Sequence, residues 1–150
     1  KYIMSKSLKA LLGGFTPTQL PQDMNSLIPE GEYSAIIDKV EVKTSKTGNA
    51  YLSVWHKLSG NAYYNNSMVF DNLNIGHSDP KVQNQALGTL GALLRSAGMT
   101  PQAGDTLDEM VSSLPGCSTT MYVTRRDGAN GYGPSNNVSR YVSPAIPDAA

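Results

Sequence analysis

Tyr51, Trp55 and Lys57 share one parity of the segment AYLSVWHKLS, and Leu52, Val54 and Leu58 share the other. Side chains alternate across a β-strand, so two large aromatic rings and an ammonium group would lie on one face, backed by aliphatic chains. A face of that kind can stack on flat unsaturated groups while holding anions beside them. Single-stranded nucleic acid presents that chemistry. Trp55 is the only tryptophan, and its orientation stays open at this level. Alternation turns it outward, whereas a lone tryptophan is usually well buried. Further stacking candidates are Tyr63 and Tyr64 in the adjoining loop and Tyr132 in the Gly/Asn-rich loop DGANGYGPSNN. Tyr33 and Tyr122 are assigned to the core. Lys39, Lys43, Lys57, Arg125 and Arg126, with Lys46 at the tip of the turn TSKTGN, are the candidate phosphate ligands.

The formal net charge is zero, which weighs against a strongly basic nucleic-acid binder. Its distribution is less even. Over 38–57 the four lysines outnumber Asp38 and Glu41, and Arg125, Arg126 and Arg140 outnumber Asp127. Between Asp71 and Glu109 the acids outnumber Lys81 and Arg95. Positive charge therefore falls on predicted strands and negative charge on predicted helix.

Signatures of catalysis are missing: the sequence contains no phosphate loop, no GxSxG and no HExxH. Asp71, His77 and Asp79 could gather at a metal, but a loop carrying helix-capping residues explains them better. Asp105, Asp108 and Glu109 sit at a helix start, where carboxylates favour the dipole. The reading is non-enzymatic, with no cofactor and no metal. A single cysteine allows no intrachain disulfide framework. No apolar run approaches the ~20 residues that span a bilayer, so a soluble, intracellular protein is expected.

The elements that must position these residues follow from periodicity. With 150 residues, one domain is expected, over 28–143. Residues 1–27, broken by Gly13, Gly14, Pro17 and Pro21, read as a flexible arm, and 144–150 as a disordered tail. Lys1 is no initiator, and Met4 is the expected natural start. Strands are expected over Glu32–Lys43, Tyr51–Leu58, Met68–Ile75, Ser118–Arg125 and Asn136–Val142. The first has Ile36, Val40 and Val42 on one face and Tyr33, Ala35 and Ile37 on the other, as in a long bent strand joining two sheets. Ser78-Asp79-Pro80 starts a helix whose stripe is Val82, Ala86, Leu90, Leu93 and Ala97, and Gly98 ends it. Gly88 and Gly91 within it are expected to permit a close backbone approach. A shorter helix begins at a Thr106/Glu109 capping box and buries Leu107, Met110, Val111 and Leu114. Five strands with a helical insertion between strands 3 and 4 give a mainly β chain with the layout of an OB-fold barrel.

Three segments carry a resemblance: PEGEYSAIIDKVEVKTSKTGNAYLSVWHKLSG, YNNSMVFDNLNI and VQNQALGTLGALLRSAGM. Together they resemble a phage-encoded family long filed as a domain of unknown function, whose better-studied members are small OB-fold single-stranded DNA-binding proteins. The likeness runs from about Leu27 to Val142. It implies a replication or recombination protein that coats single-stranded DNA without sequence preference, with other phage replication or recombination proteins as partners. Self-association is a further expectation. One departure is the C-terminus: single-strand binders of bacteria end in an acidic tail, whereas here Asp148 is the only charge in SPAIPDAA. The rival readings are a virion structural or decoration module and an OB-type domain for protein or glycan.

Overall fold

The computed structural model describes residues 8–11, 13–14, 16, 27–60, 63–128 and 133–144. Tyr132, the tail from 145 and most of the N-terminal arm lie outside the described residues. Residues 8–11 form a helical turn with Leu8 and Leu11 exposed.

Five strands and two helices follow in the expected order. They are β1 (Gly31–Thr44), β2 (Ala50–Ser59), β3 (Met68–Gly76), α1 (Pro80–Ser96), α2 (Leu107–Ser112), β4 (Ser118–Arg126) and β5 (Ser135–Val142). The strands make one antiparallel sheet in the order β3-β2-β1-β4-β5. β1 is central rather than a link between two sheets: residues 31–36 pair with β4, and 34–44 pair with β2. β3 and β5 are the edges, and no ladder joins them among the described residues. A side chain spans that gap instead, where the Tyr141 hydroxyl on β5 donates to Asp71 Oδ2 on β3 at 2.7 Å.

A β-bulge decides which β1 residues face outward. The register with β2 slips between Ile37 and Lys39, so Asp38 is an extra residue and the parity of the strand changes there. Before the bulge Tyr33, Ala35 and Ile37 face the core, with Ile36 outward and 41% exposed. After it Val40 packs against the core, and Lys39 becomes the partner of outward Trp55. Ile36 and Val40 thus lie on opposite faces, contrary to simple alternation, and Val42 is exposed near the strand end. Without the bulge Lys39 and Lys43 would share the parity of buried Ile37.

The inner face buries Leu52, Val54, Leu58, Val69, Leu73, Met121 and Val123. Each such aliphatic chain contributes roughly 1.5–3 kcal/mol when fully withdrawn from water. α1 closes this face, packing on β3, β4 and β5 with Ala86, Leu90 and Leu93 buried along its stripe and Leu94 beside them. Its start is Asp79, whose carboxylate accepts from the Lys81 amide at 3.0 Å with Pro80 following. At its end Gly98 takes φ +86°, its amide donates to Arg95 O, and the Met99 amide donates to Leu94 O. That pair of bonds requires the left-handed residue that glycine supplies. Gly88 and Gly91 meet no backbone within 4 Å of an added Cβ, so neither serves a close approach. Gly76 does: a Cβ there would stand 2.6 Å from the Ala50 carbonyl oxygen. Thr106 precedes α2 but makes no side-chain cap, and Leu107 is half exposed, so neither does what the capping-box pattern predicts. Met110 and Val111 pack on the core, and Leu114 is fully buried.

Ser96 fastens the helix to the sheet. Its hydroxyl donates to Thr120 O at 3.1 Å and accepts from Thr120 N at 3.0 Å. Ser96→Ala leaves a part-buried amide and carbonyl of β4 short of a partner. The expected cost is about 1–3 kcal/mol, read as a lower urea midpoint with an unchanged m-value.

Candidate functional site

Trp55 lies on the outer face of the sheet, half-buried. The base-rate argument for the core loses here because Leu52, Val54, His56 and Leu58 already fill the inward parity of β2. Its indole Nε1–H donates to Ser53 Oγ at 3.1 Å, which lays the ring along its own strand and buries Ser53 beneath it. Phe70, its register partner on β3, meets it edge-on with centroids 4.9 Å apart. Lys39, its partner on β1, places Nζ 3.7 Å from the ring centroid, and Lys43 Nζ is at 5.4 Å. Three strands thus supply one platform of two aromatic rings and two ammonium groups.

Between the lysines stands an acid that sequence reasoning counted only as offsetting charge. Glu41 Oε1 is 3.1 Å from Lys39 Nζ, and Oε2 is 3.9 Å from Lys43 Nζ. Tyr51 is half-buried and pairs in register with Lys43, while Lys46 is exposed on the turn that follows. Gly48 closes that turn at φ +89°. Lys57 is exposed one outward position beyond Trp55, opposite Ile36. It borders a concavity of about 430 Å³ that Asp38, Ser59 and Asn66 also line. Platform, turn and concavity form one continuous strip of the outer face.

The other candidates separate from this strip. Tyr64 is half-buried and packs edge-on against Tyr33 at 6.2 Å, so its ring is used by the fold. Tyr63 is 61% exposed at 6.3 Å from Tyr64. Arg125 and Arg126 are exposed on β4, beyond the point where Val123 pairs with Gly31. Between Gly31 and Lys39 lies roughly 25 Å of strand at ~3.3 Å per residue. The arginines therefore do not join the Trp55 platform. The Arg125 backbone amide donates to Glu30 Oε2 at 2.8 Å. Tyr33 is in the core as expected, donating to Pro29 O at 2.6 Å. Tyr122 is not: Met121 and Val123 take the inward parity of β4, and the half-buried Tyr122 ring sits 5.1 Å from the Arg140 guanidinium.

Two residues that the sequence left without a role matter. Phe70 had the outward parity of β3, but only the β2–β3 register shows that it abuts Trp55. His56 shares the parity of Leu52, Val54 and Leu58, a signal present in the sequence. It is completely buried and forms a chain through the core. Tyr141 Oη lies 2.8 Å from His56 Nε2 and donates its one proton to Asp71, so the neutral imidazole carries its proton on Nε2. His56 Nδ1 has no hydrogen-bond partner. Burial lowers the His56 pKa to about 4 and raises that of Asp71, and it raises the Tyr141 phenol well above its usual value. Burial thereby keeps His56 and Tyr141 uncharged, which suits a tie between β2, β5 and β3.

Asp71, His77 and Asp79 are each engaged separately. Asp71 is engaged by Tyr141, Asp79 caps α1, and His77 Nδ1 accepts from the Asp79 amide. Among the described residues no three of His, Cys, Asp and Glu gather as a metal site, and no helix is long and apolar enough to cross a membrane.

Residues 19–150 match a family model described as a protein of unknown function (DUF669), and the chain belongs to that family. No curated protein matches it.

Proposed function

With that family membership as the premise, we propose that the chain is a non-enzymatic, sequence-tolerant single-stranded DNA-binding protein built on an OB-type barrel, and that it serves phage DNA replication or recombination in the host cytoplasm. The observation that carries this reading is the outer-face platform, with Trp55 and Phe70 in contact and Lys39 and Lys43 above the indole. Aromatic rings take successive bases by stacking, at about 1–3 kcal/mol per base, with little preference for which base. Lys39, Lys43, Lys46 and Lys57 lie within the same strip and hold the backbone phosphates. Because the chain as a whole is neutral, stacking supplies a larger share of affinity than charge does.

A titration of labelled oligo-dT tests the reading, with the fluorescence of Trp55, the only tryptophan, followed in parallel. Saturable binding at low salt with quenching of Trp55 is expected. The slope of log K against log salt should be modest, near −2 to −3, as expected for roughly three or four phosphate contacts on single strands. Absence of binding at low salt, or binding that leaves Trp55 fluorescence unchanged, would end the stacking account. A stable oligomer indifferent to DNA would point instead to a virion module, and retention on a glycan array to a carbohydrate-binding domain.

A further inference from the structure

The Trp55 ring is not bare. Lys39 Nζ stands 3.7 Å from its centroid, where the first stacked base would have to lie. The same ammonium is held by Glu41 at 3.1 Å, and the second oxygen of that carboxylate reaches Lys43, whose Nζ is 5.4 Å from the ring. These are the ion pairs found among the described residues. All three side chains are 40–43% exposed, so the pairs are screened and readily exchanged. Exposed pairs of this kind contribute little to stability, which leaves their placement over the platform unexplained by folding.

We infer that Glu41 is a tethered anion that competes with phosphate: it latches Lys39 and Lys43 across the Trp55 face, and a nucleic-acid strand opens the platform by exchanging its own phosphates for the carboxylate. This rests on the reading of the platform as a single-strand binding surface and adds its regulation. Charge balances in the exchange because the freed Glu41 carboxylate takes up one of the solvent cations that the phosphates release. Each lysine passes from the carboxylate to a phosphate oxygen while the indole passes from an ammonium to a base. The latch lowers affinity and weakens its dependence on salt, because part of the lysine charge is already neutralised by the protein rather than by condensed ions. It also allows rapid release, since the carboxylate is at hand to recapture the lysines as a phosphate leaves. The bulge at Asp38 is what brings the three groups onto this face.

Glu41→Gln keeps the shape of the side chain at an exposed strand position and removes the charge. The variant should bind oligo-dT roughly three- to tenfold more tightly at low salt, with a salt slope steeper by about one unit. Without DNA, the neutral quencher acrylamide should quench Trp55 more strongly in the variant than in the parent, because the lysines no longer hold their place over the ring. Equal or weaker binding by Glu41→Gln, or an unchanged slope, would overturn the latch while leaving the binding surface intact. No binding by either protein would overturn the surface itself, and unchanged acrylamide quenching would then dispose of the latch as well.

Discussion

Tyr141→Phe should destabilise the protein by about 2–6 kcal/mol, the largest effect expected from removal of a single atom. The hydroxyl serves two buried groups, accepting from His56 Nε2–H and donating to Asp71 Oδ2. Removing it leaves a donor and a carboxylate oxygen without partners, at about 1–3 kcal/mol each. For a chain of this size a loss of that order lowers Tm by roughly 5–15 °C. The effect should be confined to stability, since Tyr141 faces the core and the platform lies on the other side of the sheet. A thermal shift below 2 °C would show that the gap between β3 and β5 is held by the helix alone.

The same chain sets a pH dependence. The His56 pKa falls from 6.5 in the unfolded chain to about 4 in the fold, because burial penalises the imidazolium. Its contribution is fully present above pH 6.5 and is lost as the pH falls toward 4, since only the unfolded chain takes up the proton over that window. At 1.36 kcal/mol per unit the loss is about 3 kcal/mol at the acid end. Asp71 acts in the opposite sense. Its raised pKa means that the folded state takes up a proton before the unfolded one, restoring part of the stability at the lower end. Melts should therefore show Tm declining below pH 6.5 and flattening as Asp71 titrates. In His56→Asn the decline should disappear.

Trp55→Ala should lower affinity for oligo-dT roughly 5- to 150-fold, the range given by one base stack. The side chain is half-buried on the outer face, so Tm should change far less than in Tyr141→Phe. The salt slope should stay where it was, because no phosphate contact is lost. Lys39→Ala should behave in the complementary way, flattening the slope by about one unit. Arg126→Ala should change oligo-dT binding less than Lys39→Ala does, since it stands well away from Trp55 along β1. Equal losses from the two cation variants would mean that the bound strand spans both ends of the sheet.

Much of this arrangement was legible in the residues. Periodicity placed every strand and both helices to within a residue or two, because hydrophobic spacing of two or about 3.6 is local information. Alternation grouped Trp55 with Tyr51 and Lys57 for the same reason, but left open whether that face met solvent or core. His56 was legible too, by its parity with Leu52, Val54 and Leu58. Proline, capping residues and Gly98 bounded α1, each by a backbone preference that acts within one turn.

What the tertiary structure alone decided is pairing. Strand register brought Phe70 and Lys39 to opposite flanks of Trp55, and no local pattern encodes which residues of separate strands meet. The bulge at Asp38 reversed the parity of β1, moving Lys39, Glu41 and Lys43 outward. The change from odd to even apolar positions after Ile37 hinted at this, but simple alternation overrode it. Register also set Arg125 and Arg126 apart from the lysines with which composition had grouped them. The hydrogen-bond chain through Tyr141 joins residues separated by 70 and 85 positions, so it exists only once the sheet has folded around it. The sequence by itself determined the two parities along each strand, except across the bulge. The faces of Trp55, left open, and of Tyr122, assigned to the core, were decided by the fold. Only the folded sheet decided which side chains touch, because contact depends on register and curvature, which are properties of strands together.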